Sequence, residues 1–219
     1  MSKQAAQNTT NQITEGVIWK QLLIFFFPIL FGTFFQQLYN TADAIIVGNF
    51  VGKEALASVG GSASTIINLL VGFFVGLSSG ATVIISQYYG ADNRRRVSDS
   101  VHTAIALAIA GGVVIMLLGL VSARFALTAM GTPDDILSLS LTYMKIYYLG
   151  TIPSMIYNMG SGILRALGDS KRPLLFLVVC TIVNTILDLF FVAVLKLEVA
   201  GAAIATVFAQ YVAGIGITV

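Results

Sequence analysis

Apolar stretches too long for any soluble core recur along the chain, separated by short polar breaks. A hydrocarbon core of roughly 30 Å takes about 20 helical residues to cross. Six stretches meet that length, at 17–47, 56–89, 101–129, 137–167, 174–195 and 199–219. They lack the alternation of a lipid-facing β-strand, so the predicted fold class is all-α, a polytopic membrane protein with a bundle of six transmembrane helices. The composition agrees: 57% of residues are hydrophobic and only 10% charged, which makes the bilayer the main solvent.

The breaks are too short for a soluble domain, so neighbouring helices must pack as antiparallel hairpins. Lys3, Lys20, Arg94, Arg95, Arg96, Arg165, Lys171 and Arg172 fall on one side when the spans alternate. By the positive-inside bias that side is cytoplasmic, which predicts a multi-pass protein of the cytoplasmic (inner) membrane with a cytoplasmic N-terminus. Residues 1–16 are polar, lack the layout of a signal peptide and read as a cytoplasmic tail. The net charge of +2 offers nothing to nucleic acid, which is not expected as a partner.

Few chemistries survive this composition. The single cysteine, Cys180, excludes an intramolecular disulfide and reads as packing. The single histidine, His102, falls at a span's cytoplasmic start, which leaves no buried imidazole for a nucleophile and base. No phosphate-cradling glycine loop ends in Lys and Ser or Thr, so an enzyme or nucleotide motor is not expected and energy must come from a gradient or a partner. No cofactor is implied.

Carboxylates inside a membrane cost several kcal/mol, about 2.5 or more, unless paired, hydrated or protonated, and so mark function. Gln36, Asn40 and Asp43 share one helical face of the first span. In the fifth, Asn184 and Asp188 stack one turn apart. With Leu197 as the turn, Asp188 and Thr206 lie at equal depth on adjacent antiparallel helices, roughly 13 Å below the surface. Oxygens and an amide suit a proton or a hard cation such as Na⁺ rather than zinc or copper. The alternative is that Asn184 and Asp188 only bridge helices through hydrogen bonds.

Asp99 and Asp169 adjoin basic loops and read as surface ion pairs or caps. Gly72, Gly76 and Gly80 sit at four-residue spacing, which predicts close helix packing. Pro28 and Pro153 fall within the first and fourth spans, where each should bend its helix. The triplet Arg94 to Arg96 reads as a topological signal, with binding of anionic headgroups as the weaker option.

Several motifs together resemble the multidrug and toxic compound extrusion (MATE) transporters, in the branch of bacterial DinF-type and MepA-type exporters. They are Asp43 with Val47-Gly48 and the stretch Gly52 to Gly60; Leu164-Arg165-Ala166-Leu167-Gly168-Asp169 with Pro173; and Asn184, Asp188 and Gly201-Ala202-Ala203-Ile204-Ala205-Thr206. The resemblance implies a protein of two six-helix lobes that exports organic, often cationic compounds in exchange for H⁺ or Na⁺. This chain is similar to the N-terminal lobe, so the partners implied are small organic cations, the lipid bilayer and a C-terminal lobe or second copy.

By the same resemblance, Asp43, Asn184, Asp188 and Thr206 look like the cation or proton site. Gln36, Tyr39, Asn40, Tyr143 and Asn158 look like the cavity lining, and Pro28 like the hinge of the first helix. Two other functions compete. One is a non-transporting membrane subunit, with the polar stripe as interhelical glue. The other is a lipid-linked sugar flippase, which would want a more basic cavity.

Overall fold

A computed structural model describes residues 17–218. The polar segment 1–16, with Lys3 and the expected cytoplasmic tail, lies outside the described residues, as does Val219. The described residues form eight α-helices and one π-helical segment and include no strand. In chain order these are α1 (Ile18–Phe50), α2 (Lys53–Gly60), α3 (Ser62–Gly90), α4 (Arg94–Ala129), α5 (Asp134–Leu149), α6 (Thr151–Ala166), α7 (Lys171–Asp188), the π-helical segment Leu189–Val194, and α8 (Glu198–Thr218).

Five stretches are long and apolar enough to cross a membrane: Ile18–Phe50, Lys53–Gly90, Arg94–Ala129, Lys171–Val194 and Glu198–Thr218. The expected fourth span is instead divided at Gly150 into α5 and α6, of 16 residues each. Each half alone rises about 24 Å, short of a full crossing, so the two act as a crossing only together. The break falls at Gly150, because Pro153 offers no N–H to the carbonyl of Leu149, the last residue of α5, and its ring crowds that carbonyl. Pro153 stands in the first turn of α6, where a helix has no intrahelical use for its missing N–H. Pro28, by contrast, lies inside α1, which runs through it without interruption.

The glycine-spacing expectation also needs correcting. Positions 72, 76 and 80 of α3 have no atom within 4 Å of where a side chain would begin, so these glycines face open space rather than a neighbouring helix. Close packing is concentrated around α6. Gly162 of α6 fits against Ser78 and Thr82, Gly112 of α4 against Ile152, and Gly214 of α8 against Pro153. A Cβ at any of these would collide with its neighbour. Helix α6 packs on α3, α4 and α8 at once and so forms the hub of the bundle. Three short-range approaches to one rod explain why the tight glycines gather there.

Two apolar clusters hold the ends. Val47, Ala55, Leu127, Met144, Val192 and Val199 pack near the turns at 51–52, 130–133 and 195–197. Phe74, Ile85, Ala104, Met155, Met159 and Ile163 belong to a second cluster that extends to the turns at 91–93 and 167–170. Between them the side chains turn polar. Helix α1 stands apart in that only Asp43, Ile46 and Val47 of its residues are buried. Its first half presents Trp19, Phe26, Phe27, Phe31 and Phe34 outward, as a lipid-facing or partner-facing rod does.

Loop ends carry the polar signals. Asp169 accepts hydrogen bonds from the backbone N–H of Lys171 and Arg172 at 3.0 and 3.1 Å, and its carboxylate pairs with Arg172 at 3.1 Å. That is the expected cap. Gly168 supplies the left-handed turn before it, with φ of 93°. The other surface acid departs from expectation, because α4 begins at Arg94 with Asn93 as its cap. Asp99 therefore sits inside the helix and makes neither a cap nor an ion pair among the described residues.

Candidate functional site

A cavity of about 330 Å³ opens between α1, α2, α3, α5, α6, α7 and α8, in the polar layer between the two apolar clusters. Helix α1 supplies Gln36, Tyr39, Asn40 and Asp43, four residues that share a face by their three- and four-residue spacing. Tyr143 comes from α5, Asn158 from α6 and Thr206 from α8. Gln36 and Asn40 are exposed at its rim, whereas Asp43 and Tyr143 are buried. The backbone around Asn158 is tied to α3, since the Ser78 hydroxyl donates to its carbonyl at 2.7 Å. Its own amide donates to the Ser154 carbonyl at 2.8 Å.

Asn184 and Asp188 do not line the cavity. They lie behind it with no exposed surface, and both side chains are set against Asp43. The four polar residues thus come together from three helices, although Asp43 is separated from the others by well over a hundred positions of sequence. The Thr206 hydroxyl donates to Asp43 Oδ2 at 3.4 Å, a long bond. Asp43 Oδ1, both carboxyl oxygens of Asp188 and both polar atoms of Asn184 have no hydrogen-bond partner among the described residues.

Buried polar groups are nearly always satisfied, because each orphan costs about 1–3 kcal/mol. Two carboxyl groups side by side in a dry interior add mutual repulsion unless a positive charge lies between them. The donor set is carboxylate, amide and hydroxyl oxygen, which fits a proton or a hard cation of low charge. Among the described residues no group of three or more His, Cys, Asp or Glu could hold a metal ion.

Directly after Asp188 the chain leaves α-helical spacing for the π-helical segment Leu189–Val194. Such widened turns shift the register of everything beyond them and recur at functional sites. Here the widening allows Val192 to be buried, on the turn side of the acid cluster.

Tyr147 and Gln210 also line the cavity and were not anticipated. Each follows a predicted residue by four positions, Tyr143 and Thr206, so extending the same face by one turn would have found both. The rings of Tyr143 and Tyr147 stack with centroids 6.3 Å apart. Gln210 reaches over the break in the fourth span, where a side chain at Gly150 would meet its amide oxygen. No Lys or Arg among the described residues lines the cavity.

The comparisons with known proteins converge. The MatE family model matches residues 28–190. The probable multidrug resistance protein YpnP of Bacillus subtilis (strain 168) is 32% identical over 91% of this chain and 45% of its own length. The DNA damage-inducible protein F of Escherichia coli (strain K12) is 28% identical over 90% of this chain and 42% of its own. Among solved structures, the outward-facing conformation of a multidrug resistance MATE family transporter of the MOP superfamily superposes with a TM-score of 0.89 at 28% identity. That match covers 96% of this chain and 46% of the other. The chain spans about half the length of the curated relatives it matches.

Proposed function

This chain belongs to the MatE family, and from that premise we propose that it forms one six-helix lobe of a secondary antiporter exporting organic, often cationic compounds in exchange for H⁺ or Na⁺. In this reading Asp43 and Asp188 hold the coupling ion, with Asn184 and Thr206 as neutral ligands. Gln36, Tyr39, Asn40, Tyr143 and Asn158 receive the exported compound. A second lobe completes the transport pathway across the exposed face of α1. The cytoplasmic N-terminus and the inner membrane follow from the distribution of basic residues.

One observation carries the proposal: two carboxyl groups face each other in the buried interior beside Asn184, immediately behind a cavity lined by amides and tyrosines. Such a pair is stable only while it holds at least one positive charge. When a cationic compound occupies the cavity, a few ångströms from Asp43, it competes electrostatically with that charge. The tyrosine faces add cation-π attraction worth about 0.5–2 kcal/mol. Exchange follows, because the site favours one positive charge over two.

Pro28 lies on α1 well before Asp43, in the weakly packed half of the helix. A helix missing one backbone bond there can bend when the charge state at Asp43 changes. The absence of basic residues from the cavity among the described residues weighs against a lipid-linked sugar flippase. The experiment is transport of a fluorescent organic cation by the complete protein in proteoliposomes, with Na⁺ and pH gradients imposed separately. Uptake driven by one gradient and abolished by Asp188→Asn supports the reading, and uptake indifferent to both gradients contradicts it.

A further inference from the structure

A second cavity, of about 550 Å³, lies between α3 and α4 at the end of the bundle where the arginine triplet begins α4. Gly76 and Gly80 form part of its floor, and with no side chains and no neighbour within 4 Å they leave a smooth trough. Leu77, Ile84, Ile85 and Leu107 supply apolar walls, and Ile84 and Leu107 are half exposed, so the trough opens sideways rather than into the bundle. From Arg96 to Leu107 along α4 it runs about 16 Å, the reach of an acyl chain.

Its mouth is charged with both signs. Arg96 is held in place by Tyr88, whose hydroxyl accepts from Arg96 Nη1 at 3.2 Å and whose ring lies 5.4 Å from the guanidinium carbon. Asp99, one turn further along α4, lines the same mouth. Neither Arg96 nor Asp99 forms an ion pair among the described residues. A fixed guanidinium and a free carboxylate at three-residue spacing stand side by side above an apolar trough.

We propose that this trough binds one phosphatidylethanolamine molecule from the bilayer. Its phosphate meets Arg96, its ammonium donates hydrogen bonds to Asp99, and one acyl chain lies over Gly76 and Gly80. Phosphatidylglycerol offers the phosphate but no ammonium. Phosphatidylcholine offers an ammonium with no N–H to donate. The charge pair therefore selects the ethanolamine headgroup, and the glycines admit the chain.

The test uses the intact protein purified from membranes and measures lipids retained in native mass spectrometry, with the three phospholipids supplied on identical acyl chains. Phosphatidylethanolamine should be retained about tenfold more tightly than the other two, the discrimination that a charge-assisted hydrogen bond provides. Arg96→Gln and Asp99→Asn should each erase that preference. Gly80→Leu, whose Cβ meets no atom within 4 Å, should weaken all three lipids while the thermal midpoint of the purified protein stays that of the native protein. Arg94→Gln, at an exposed arginine already paired with Asp92, should change nothing. Equal retention of the three lipids, or undiminished retention by Gly80→Leu, overturns the proposal. So does a Gly80→Cys protein that cross-links to another segment of the same protein and retains no lipid.

Discussion

The two cavities of this lobe show opposite arrangements of charge. Between α1, α7 and α8 the carboxyl groups of Asp43 and Asp188 are buried and short of partners, and the apolar clusters close off both ends. Between α3 and α4 the charges of Arg96 and Asp99 stay at the rim, and the interior is glycine and aliphatic carbon. Buried charge demands a counter-charge from whatever binds, so the first cavity suits ions and small cations. Rim charge above an apolar trough suits an amphiphile that leaves its head in water. What each cavity takes is decided by the depth of its polar atoms more than by their identity.

The largest expected effect comes from cancelling the buried charge. Asp188→Asn keeps the shape but removes the site's ability to change charge, so gradient-driven export by the complete protein should fall by roughly a hundredfold or more with expression intact. Vesicle transport and membrane immunoblots check the two halves of that statement. If the acid cluster is only structural, export survives and thermal stability drops instead.

Next in size is the packing around α6. Gly162→Val drives a side chain into Ser78 and Thr82, where there is no space, and overpacking of this kind costs about 1–3 kcal/mol. Thermal unfolding in detergent should show a lower midpoint. At Gly76 an added Cβ meets no atom within 4 Å, so the same substitution there should lower the midpoint less, which separates the packing glycines from the open ones.

Smaller still is Thr206→Val. Its bond to Asp43 is long at 3.4 Å, and a neutral hydrogen bond of that quality contributes about 1 kcal/mol or less. Apparent affinity for the coupling ion should weaken about fivefold or less, measured from the ion dependence of transport. A loss as large as that of Asp188→Asn would mean that Thr206 is a principal ligand.

Much of this arrangement is legible in the sequence. Helical spacing places Asn184 beside Asp188, and counting from the turn at Leu197 sets Thr206 against them. Asp43 joins the cluster because α1 packs on α7, which the stripe of Gln36, Asn40 and Asp43 suggests but spacing within one helix cannot determine. Tyr147 and Gln210 were legible and missed, each one turn beyond a named residue.

Other features depend on contacts that no local pattern encodes. The glycines of α3 have the spacing of a packing motif yet face outward, while Gly162 and Gly214, with no comparable repeat, carry the close approaches. Which glycines are tight depends on α6 becoming the hub. The interruption of the fourth span, by contrast, is legible, since it falls at Gly150, where Pro153 leaves the carbonyl of Leu149 without its helical donor.

Exchange of one positive charge at Asp43 and Asp188 for the exported cation follows from the proposed function. It is tested most directly by adding a saturating organic cation to the purified complete protein while following proton release and ²²Na⁺ displacement. The native protein should release one of these ions, and the Asp43→Asn, Asp188→Asn double variant should release none. Equal release by both proteins would contradict it.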